Sequence, residues 1–261
     1  MALTYASYLR LDELLKLQVP ESEPPEHDEM LFIVIHQAYE VWFKQVLHEL
    51  DHLVVLLDGN DLARSRHTLR RVRTIMKLLV SQVDVLETMT PMEFLSFRDR
   101  LESASGFQSA QFRELEYLLG FKQRRVMEPF AKGSEARRKL EARFAAPTLW
   151  DIFMRFLARQ GHAVPAEVLN RDVTKVVLSS PKLQDVLYQI YQDDPSLADF
   201  CELLSDLDEG LQEWRYRHVK MVERTIGSRA GTGGSSGVDY LRGTLFKPCF
   251  PDLWKFRSLP G

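Results

Sequence analysis

Cysteine is scarce in this chain: 261 residues include two, Cys201 and Cys249, too few for a disulfide framework and too far apart for a CxxC metal pair. A reducing compartment suits that composition. An excess of one charge is also missing. Lysine and arginine number 34 against 37 acidic residues, for a formal net charge of −3, so bulk attraction to nucleic acid or to an anionic membrane surface is excluded as an organising principle. Long apolar runs are absent too. The N-terminal MALTYASYLRLDELLKL has no continuous hydrophobic segment, and no later stretch approaches the ~20 apolar residues that span a bilayer. These absences describe a soluble, cytoplasmic chain suited to small-molecule chemistry or protein contact.

What remains is helical periodicity. Apolar residues are 45% of the chain and recur at helical spacing almost throughout, while strand-like alternation is hard to find. An all-α, bundle-like single domain over residues 1–261 is expected, with no internal repeat and no low-complexity tract. Residues 1–26 read as an N-terminal arm: an amphipathic stretch from Tyr5 to Gln18, then a connector whose prolines in VPESEPPEH oppose helix. Helices are predicted at about 28–57, 61–88, 91–101, 107–127, 135–144, 148–160, 182–193 and 196–227. ASG at 104–106 and the glycine-rich 228–238 region are loops.

Histidine placement is the most informative feature. Residues 27–52, HDEMLFIVIHQAYEVWFKQVLHELDH, hold four. Stepping 100° per residue puts His36 on one arc with Phe32, Tyr39, Phe43, Leu47, Leu50 and Val54, the predicted buried face. His48 and His52 fall opposite, with Gln37, Lys44, Gln45 and Glu49, on a face predicted to be solvated. HELDH at 48–52 matches the HExxH zinc pattern, but its polar setting and the lack of an evident third ligand argue against zinc. His218 lies at the centre of a second apolar arc with Phe200, Leu204, Leu207, Leu211, Trp214 and Val222. One inward histidine is ordinary core. Two on separate helices of a bundle make a metal or haem between helices a serious candidate. The loop AGTGGSSGV lacks the Lys-Ser/Thr ending of a P-loop and follows a helix, so it is either a connector or a lid closing over a polar ligand.

The segments HDEMLFIVIHQAYEVWFKQ, FRDRLESASGFQSAQFRELEYLLG, WRYRHVKMVERTIG and AGTGGSSGVDYLR, with FPDLW near the end, resemble the tryptophan 2,3-dioxygenase family. The likeness runs in order from TYASYLRLDELL to FPDLW. It implies an all-helical homotetramer of the tryptophan/indoleamine dioxygenase type, in which ferrous haem b and O2 open the indole ring of L-tryptophan. The product would be N-formyl-L-kynurenine, the first step of the kynurenine route. By the same resemblance His218 would be the axial haem ligand and His36 the distal histidine that accepts the indole N–H, with Phe32 in the wall. Arg98 would bind the substrate carboxylate, and Phe94, Leu101, Ser105 and Thr232 would be further pocket positions. Tyr5, Tyr8 and Leu9 would complete a neighbouring subunit's pocket. Phe94 stands where some members carry tyrosine, and Val83 where some carry a large aromatic, which puts the volume beside the haem in question. The alternatives are a haem-dependent aromatic monooxygenase of the same superfamily and a non-catalytic haem protein.

Overall fold

The computed structural model describes every residue except Met1, Ser103, Ala230, 232–236, Pro260 and Gly261, and the described residues contain no strand. The arm forms two short helices, α1 (Tyr5–Leu9) and α2 (Leu11–Leu14), broken at Arg10, whose φ of 51° is left-handed. After a connector holding Pro20, Pro24 and Pro25 the chain enters α3 (His27–Asp58). The connector is held by Glu29, which accepts hydrogen bonds from the Glu21 and Ser22 backbone N–H groups and from the Ser22 hydroxyl. Burial opposes the Glu29 charge, yet those donors hold its pKa below the usual carboxylate value.

A tight turn through Asn60, at φ 58°, returns the chain as α4 (Leu62–Leu86), capped by the Asp61 side chain. Arg159 satisfies the open end of α3 by donating to the Leu57 carbonyl and to Asn60. Helix α5 (Pro91–Phe97) starts with a Thr90/Glu93 capping box and Pro91 in its first turn. It tightens into a 3₁₀ turn over Arg98–Leu101. Helix α6 (Ala110–Leu118) ends at Gly120, whose φ of 103° no other residue adopts easily. The single helix expected over 107–127 is therefore two pieces, with a 3₁₀ turn at Arg124–Met127 after the break.

Next come α7 (Glu135–Ala145), α8 (Leu149–Arg159), the short α9 (Ala166–Leu169) and α10 (Pro181–Asp193). The second long helix, α11 (Pro195–Ile226), carries Pro195 in its first turn and an Asp194 cap, and stops at Gly227. Helices α12 (Val238–Arg242) and α13 (Pro251–Lys255) close the chain. Neither these two nor α9 carries enough periodic residues to be read from sequence.

Helix α4 is the spine. Both α3 and α11 pack along it, and α5, α6 and α8 close on the flank of α3. Leu50, Leu53, Leu69, Val72, Leu79, Leu204 and Leu207 are buried in the shared core. No described helix is long and apolar enough to cross a membrane.

Charged side chains tether the irregular segments. Lys122 donates to the carbonyls of Arg143, Phe144 and Ala146 at 2.8, 2.9 and 2.8 Å, closing the end of α7. Asp208 of α11, wholly buried, accepts from the backbone N–H groups of Cys249 and Phe250 and from the Trp254 indole at 2.9, 3.1 and 2.9 Å. Asp208→Ala would orphan three donors at once. We expect a loss of about 3 kcal/mol or more of stability in urea unfolding; a change below ~1 kcal/mol would show that the C-terminal segment docks by its apolar contacts alone.

Candidate functional site

Seated side by side along α4, the first antiparallel to it and the second parallel, α3 and α11 leave a cavity of about 280 Å³ between them. Phe32, His36, Tyr39, Glu40 and Phe43 of α3 line one wall, and Trp214, Arg215, His218, Val219 and Val222 of α11 face them. Val83 and Leu86 of α4 lie between the two walls, Phe94 and Arg98 enter from the α5 side, and Phe112, Arg113 and Glu116 enter from α6. The two histidines singled out by periodicity thus share one largely apolar chamber.

His36 is prepared as an acceptor. Its Nδ1 lies 2.7 Å from the Phe32 carbonyl, and a carbonyl can only accept, so Nδ1 carries the proton and Nε2 is left with a lone pair. Burial lowers the His36 pKa, against the Phe32 bond and the Glu40 charge, which act the other way. A neutral ring with one fixed tautomer results. The Phe32 ring packs against it at a tilt of 38°, 4.1 Å between centroids, and the contacts continue to Phe94 and Phe97 at 5.8 and 5.5 Å. Gln111 steadies this wall, donating to the carbonyl and carboxylate of Glu40 at 2.9 and 2.8 Å.

His218 is the more strongly perturbed of the two. Burial pushes its pKa down to about 4, with His36 and the Arg113 guanidinium adding to the effect. Its ring lies flat against Trp214, 5.2 Å between centroids and 6° between planes. A neutral imidazole is a ready metal ligand. The described residues nevertheless include no group of three His, Cys, Asp or Glu side chains able to hold a metal ion. The chamber therefore suits a metal that brings its other ligands with it. The Trp214 ring also meets Tyr39 and Phe43 of α3 edge to face, at 6.1 and 6.2 Å between centroids.

The expected site residues separate into three sets. Phe32, His36, Phe94, Arg98, Ser105 and His218 all line the cavity. Arg98 is half-buried, and Ser105 spends its hydroxyl on the Phe107 N–H at 3.3 Å. Leu101 packs against the core without lining the cavity, and Thr232 lies outside the described residues. Tyr5, Tyr8 and Leu9 are 77%, 70% and 40% exposed and do not line this cavity. Val83 is buried at the cavity wall, so a small side chain does stand there.

HELDH needs one correction. His48 and His52 are exposed as expected, but Glu49 is buried rather than solvated. Arg71 reaches over it with bonds of 2.9 and 3.0 Å, and Gln45 adds another at 2.7 Å. The motif's glutamate is thus committed to a structural ion pair. Periodicity also missed Arg113, Glu116 and Arg215, which are all buried at the cavity wall. Charged residues on helices are assigned to solvent by default, and only their partners across α6 and α11 explain their burial.

A family model described as tryptophan 2,3-dioxygenase matches residues 1–142 and 136–259. The tryptophan 2,3-dioxygenase of Herpetosiphon aurantiacus is 57% identical over 257 residues, covering 98% of each chain. That of Anaeromyxobacter sp. strain K is 56% identical over 98% of this chain and 96% of its own, and that of Myxococcus xanthus 45% identical over 98% and 89%.

Proposed function

The chain belongs to the tryptophan 2,3-dioxygenase family, and from that membership we propose how its cavity works. The activity is oxidative opening of the indole ring of L-tryptophan by O2, giving N-formyl-L-kynurenine, the entry to tryptophan breakdown. The observation that carries the assignment of roles is the pair of uncharged imidazoles on opposite walls of one apolar chamber.

Haem b is the cofactor we infer, and the chamber's chemistry fits it. A neutral imidazole at His218 and an apolar lining suit a porphyrin, which brings four nitrogen ligands of its own. His218 would hold the iron, with Trp214 stacked on its ring to keep it from rotating. Bound in the ferrous state, the haem supplies the activation of O2.

The remaining work is binding and orientation, and it falls to the chain. Nε2 of His36 accepts the indole N–H, which its fixed tautomer allows. Phe32 and Phe94 provide faces against which the flat indole lies. Arg98 takes the carboxylate, because a planar guanidinium can give two parallel charge-assisted hydrogen bonds. Leu101, Ser105 and Thr232 would complete the surround. The arm supports a homotetramer: Tyr5, Tyr8 and Leu9 present apolar surface to solvent, and we assign them to a neighbouring subunit's pocket. A cytoplasmic setting accords with two buried free cysteines.

Product analysis tests the reaction itself. Haem-loaded protein given L-tryptophan and isotopically heavy O2 should place both labelled atoms in the product; a single labelled atom would mean monooxygenation. In the same protein, His218→Ala should abolish stable haem incorporation with the helical fold kept, whereas His36→Ala should keep haem and lose turnover. Equal haem loss in both would mean that both histidines bind iron.

Arg98→Ala should lower kcat/KM for L-tryptophan by roughly tenfold to a hundredfold, the equivalent of a charged hydrogen-bonded pair at ~1.5–3 kcal/mol. Tryptamine, which lacks the carboxylate, should bind the variant almost as it binds the wild type. Parallel weakening of both ligands would assign Arg98 to wall structure instead.

Deleting residues 1–18 should weaken tryptophan binding in protein that remains tetrameric by light scattering. Unchanged affinity there would confine the arm to assembly.

A further inference from the structure

The connector between α9 and α10 is composed unlike the helices around it. Residues 173–178, VTKVVL, are rich in β-branched side chains that favour a strand, yet the described residues of the protein contain none. From Val176 to Ser180 the backbone runs without a turn or bend, and exposure alternates. Val176 and Leu178 face solvent, while Val177 and Ser179 are partly buried. Both ends of the segment are fixed: Arg171 donates to the Lys175 carbonyl at 2.8 Å, and Asp252 accepts from the Ser180 N–H at 2.8 Å. Between them Val177 packs on the core, and Lys255 donates to the Ser179 hydroxyl at 2.6 Å.

The backbone of this segment is left open. Among the described residues, no N–H or C=O group of Val176, Val177, Leu178 or Ser179 has a hydrogen-bond partner in the chain, so the connector presents the unpaired row of a sheet edge. Its flank is apolar. Phe246 and Leu178, at 80% and 78%, are the most exposed large apolar side chains among the described residues. Gly120 joins their neighbourhoods: a Cβ there would meet Val177, next to Leu178, at 3.1 Å and the carbonyl of Cys249, shortly after Phe246, at 3.8 Å. The surrounding charge is positive. Lys175, Lys247 and Lys255 are exposed, and the lysines that form ion pairs among the described residues are others, Lys139, Lys182 and Lys220. The acids nearby are already engaged, Asp151 by Arg171, Glu167 by Lys182 and Asp172 by Thr174.

We propose that Val176–Ser179, flanked by Phe246, is a docking edge that an extended acidic segment of a partner protein joins as an added strand. Main-chain hydrogen bonds supply the affinity, Val176 and Leu178 meet alternate apolar side chains of the incoming segment, and the three lysines select acidic residues between them. A second copy of the same edge is a poorer occupant, since it would bring three more lysines to the same place. Anchoring at Lys175 and Ser180 keeps the edge extended beforehand, so binding orders little of this chain. The edge is separate from the chemistry of the cavity, whose walls include none of these residues.

A fluorescently labelled heptapeptide of alternating glutamate and valine, titrated into the full-length protein and read by anisotropy, tests this. It should bind with a Kd below about 1 mM, and binding should weaken at least about threefold between roughly 0.05 and 0.5 M NaCl as exposed charges are screened. Saturating peptide should slow amide hydrogen exchange at residues 176–179 by roughly tenfold. Leu178→Asp and Lys175→Glu should each weaken the peptide at least about fivefold through repulsion of its glutamates. Both side chains are exposed and outside the cavity, so thermal unfolding and tryptophan turnover should stay as in wild type.

Absence of binding up to about 1 mM peptide would overturn the proposal, and needs no variant to fold. Equal affinity for a peptide N-methylated at every amide would do the same, because main-chain pairing is then impossible and charge alone accounts for the attraction. Protection that falls outside residues 176–179 would place the contact elsewhere. Slow exchange at 176–179 in peptide-free protein, lost together with a fall in oligomer size in Leu178→Asp, would assign the edge to contact between copies and sink the partner reading too.

Discussion

The cavity exists because α3 and α11 are both seated on α4 and close on each other only in part. Tyr39 and Phe43 of α3 meet Trp214 of α11 edge to face, at 6.1 and 6.2 Å between ring centroids, and beyond that contact the inward side chains line a gap. Two contacts hold that spacing near the histidines. Tyr39 of α3 donates to the Leu79 carbonyl of α4 at 3.0 Å, and Arg217 of α11 reaches Asp84 and Glu87 at the end of α4 at 2.5 and 3.1 Å. The same seating removes water from His36 and His218, and a low-dielectric setting disfavours an imidazolium. Neutrality of both rings is thus a consequence of helix packing, and the chemistry assigned to each depends on it.

Elsewhere in the molecule, buried charge has a different use. Glu29, Asp208 and Lys122 each collect two or three backbone or indole partners and so fasten the N-terminal connector, the C-terminal segment and the end of α7. Asp151 does the same for the start of α8, where it closes a capping box with Thr148 and takes Arg171 at 2.5 and 2.8 Å. In each case the partners satisfy the charge locally.

The division of labour in the cavity follows from these two facts. Neither histidine of its walls is poised to move protons at neutral pH: one is fixed as an acceptor and the other is suited to a metal. What the chain contributes is a dry chamber, a fixed tautomer and cationic groups placed at two separate points of the wall. Such a site gains its selectivity from orientation, since each polar end of a flat, amphipathic ligand finds a single matching group.

Helical periodicity was legible in the sequence because every buried stripe of α3, α4 and α11 repeats at the helical interval, so the all-α fold and the inward direction of His36 and His218 could be read from residue order alone. Capping residues such as Thr90 with Pro91, and Asp194 with Pro195, marked where helices begin. Motif resemblance added Phe32, Phe94, Arg98 and Ser105, and the fold brings these to the same cavity. Three things waited on tertiary structure. The break at Gly120 depends on a positive φ that local pattern does not announce. The burial of Glu49, Arg113, Glu116 and Arg215 depends on partners on other helices, whereas a helical wheel sees one helix at a time. The facing of two histidines across one gap, more than 180 residues apart in sequence, depends on α4 lying between their helices, a spatial relation that residue order does not encode locally.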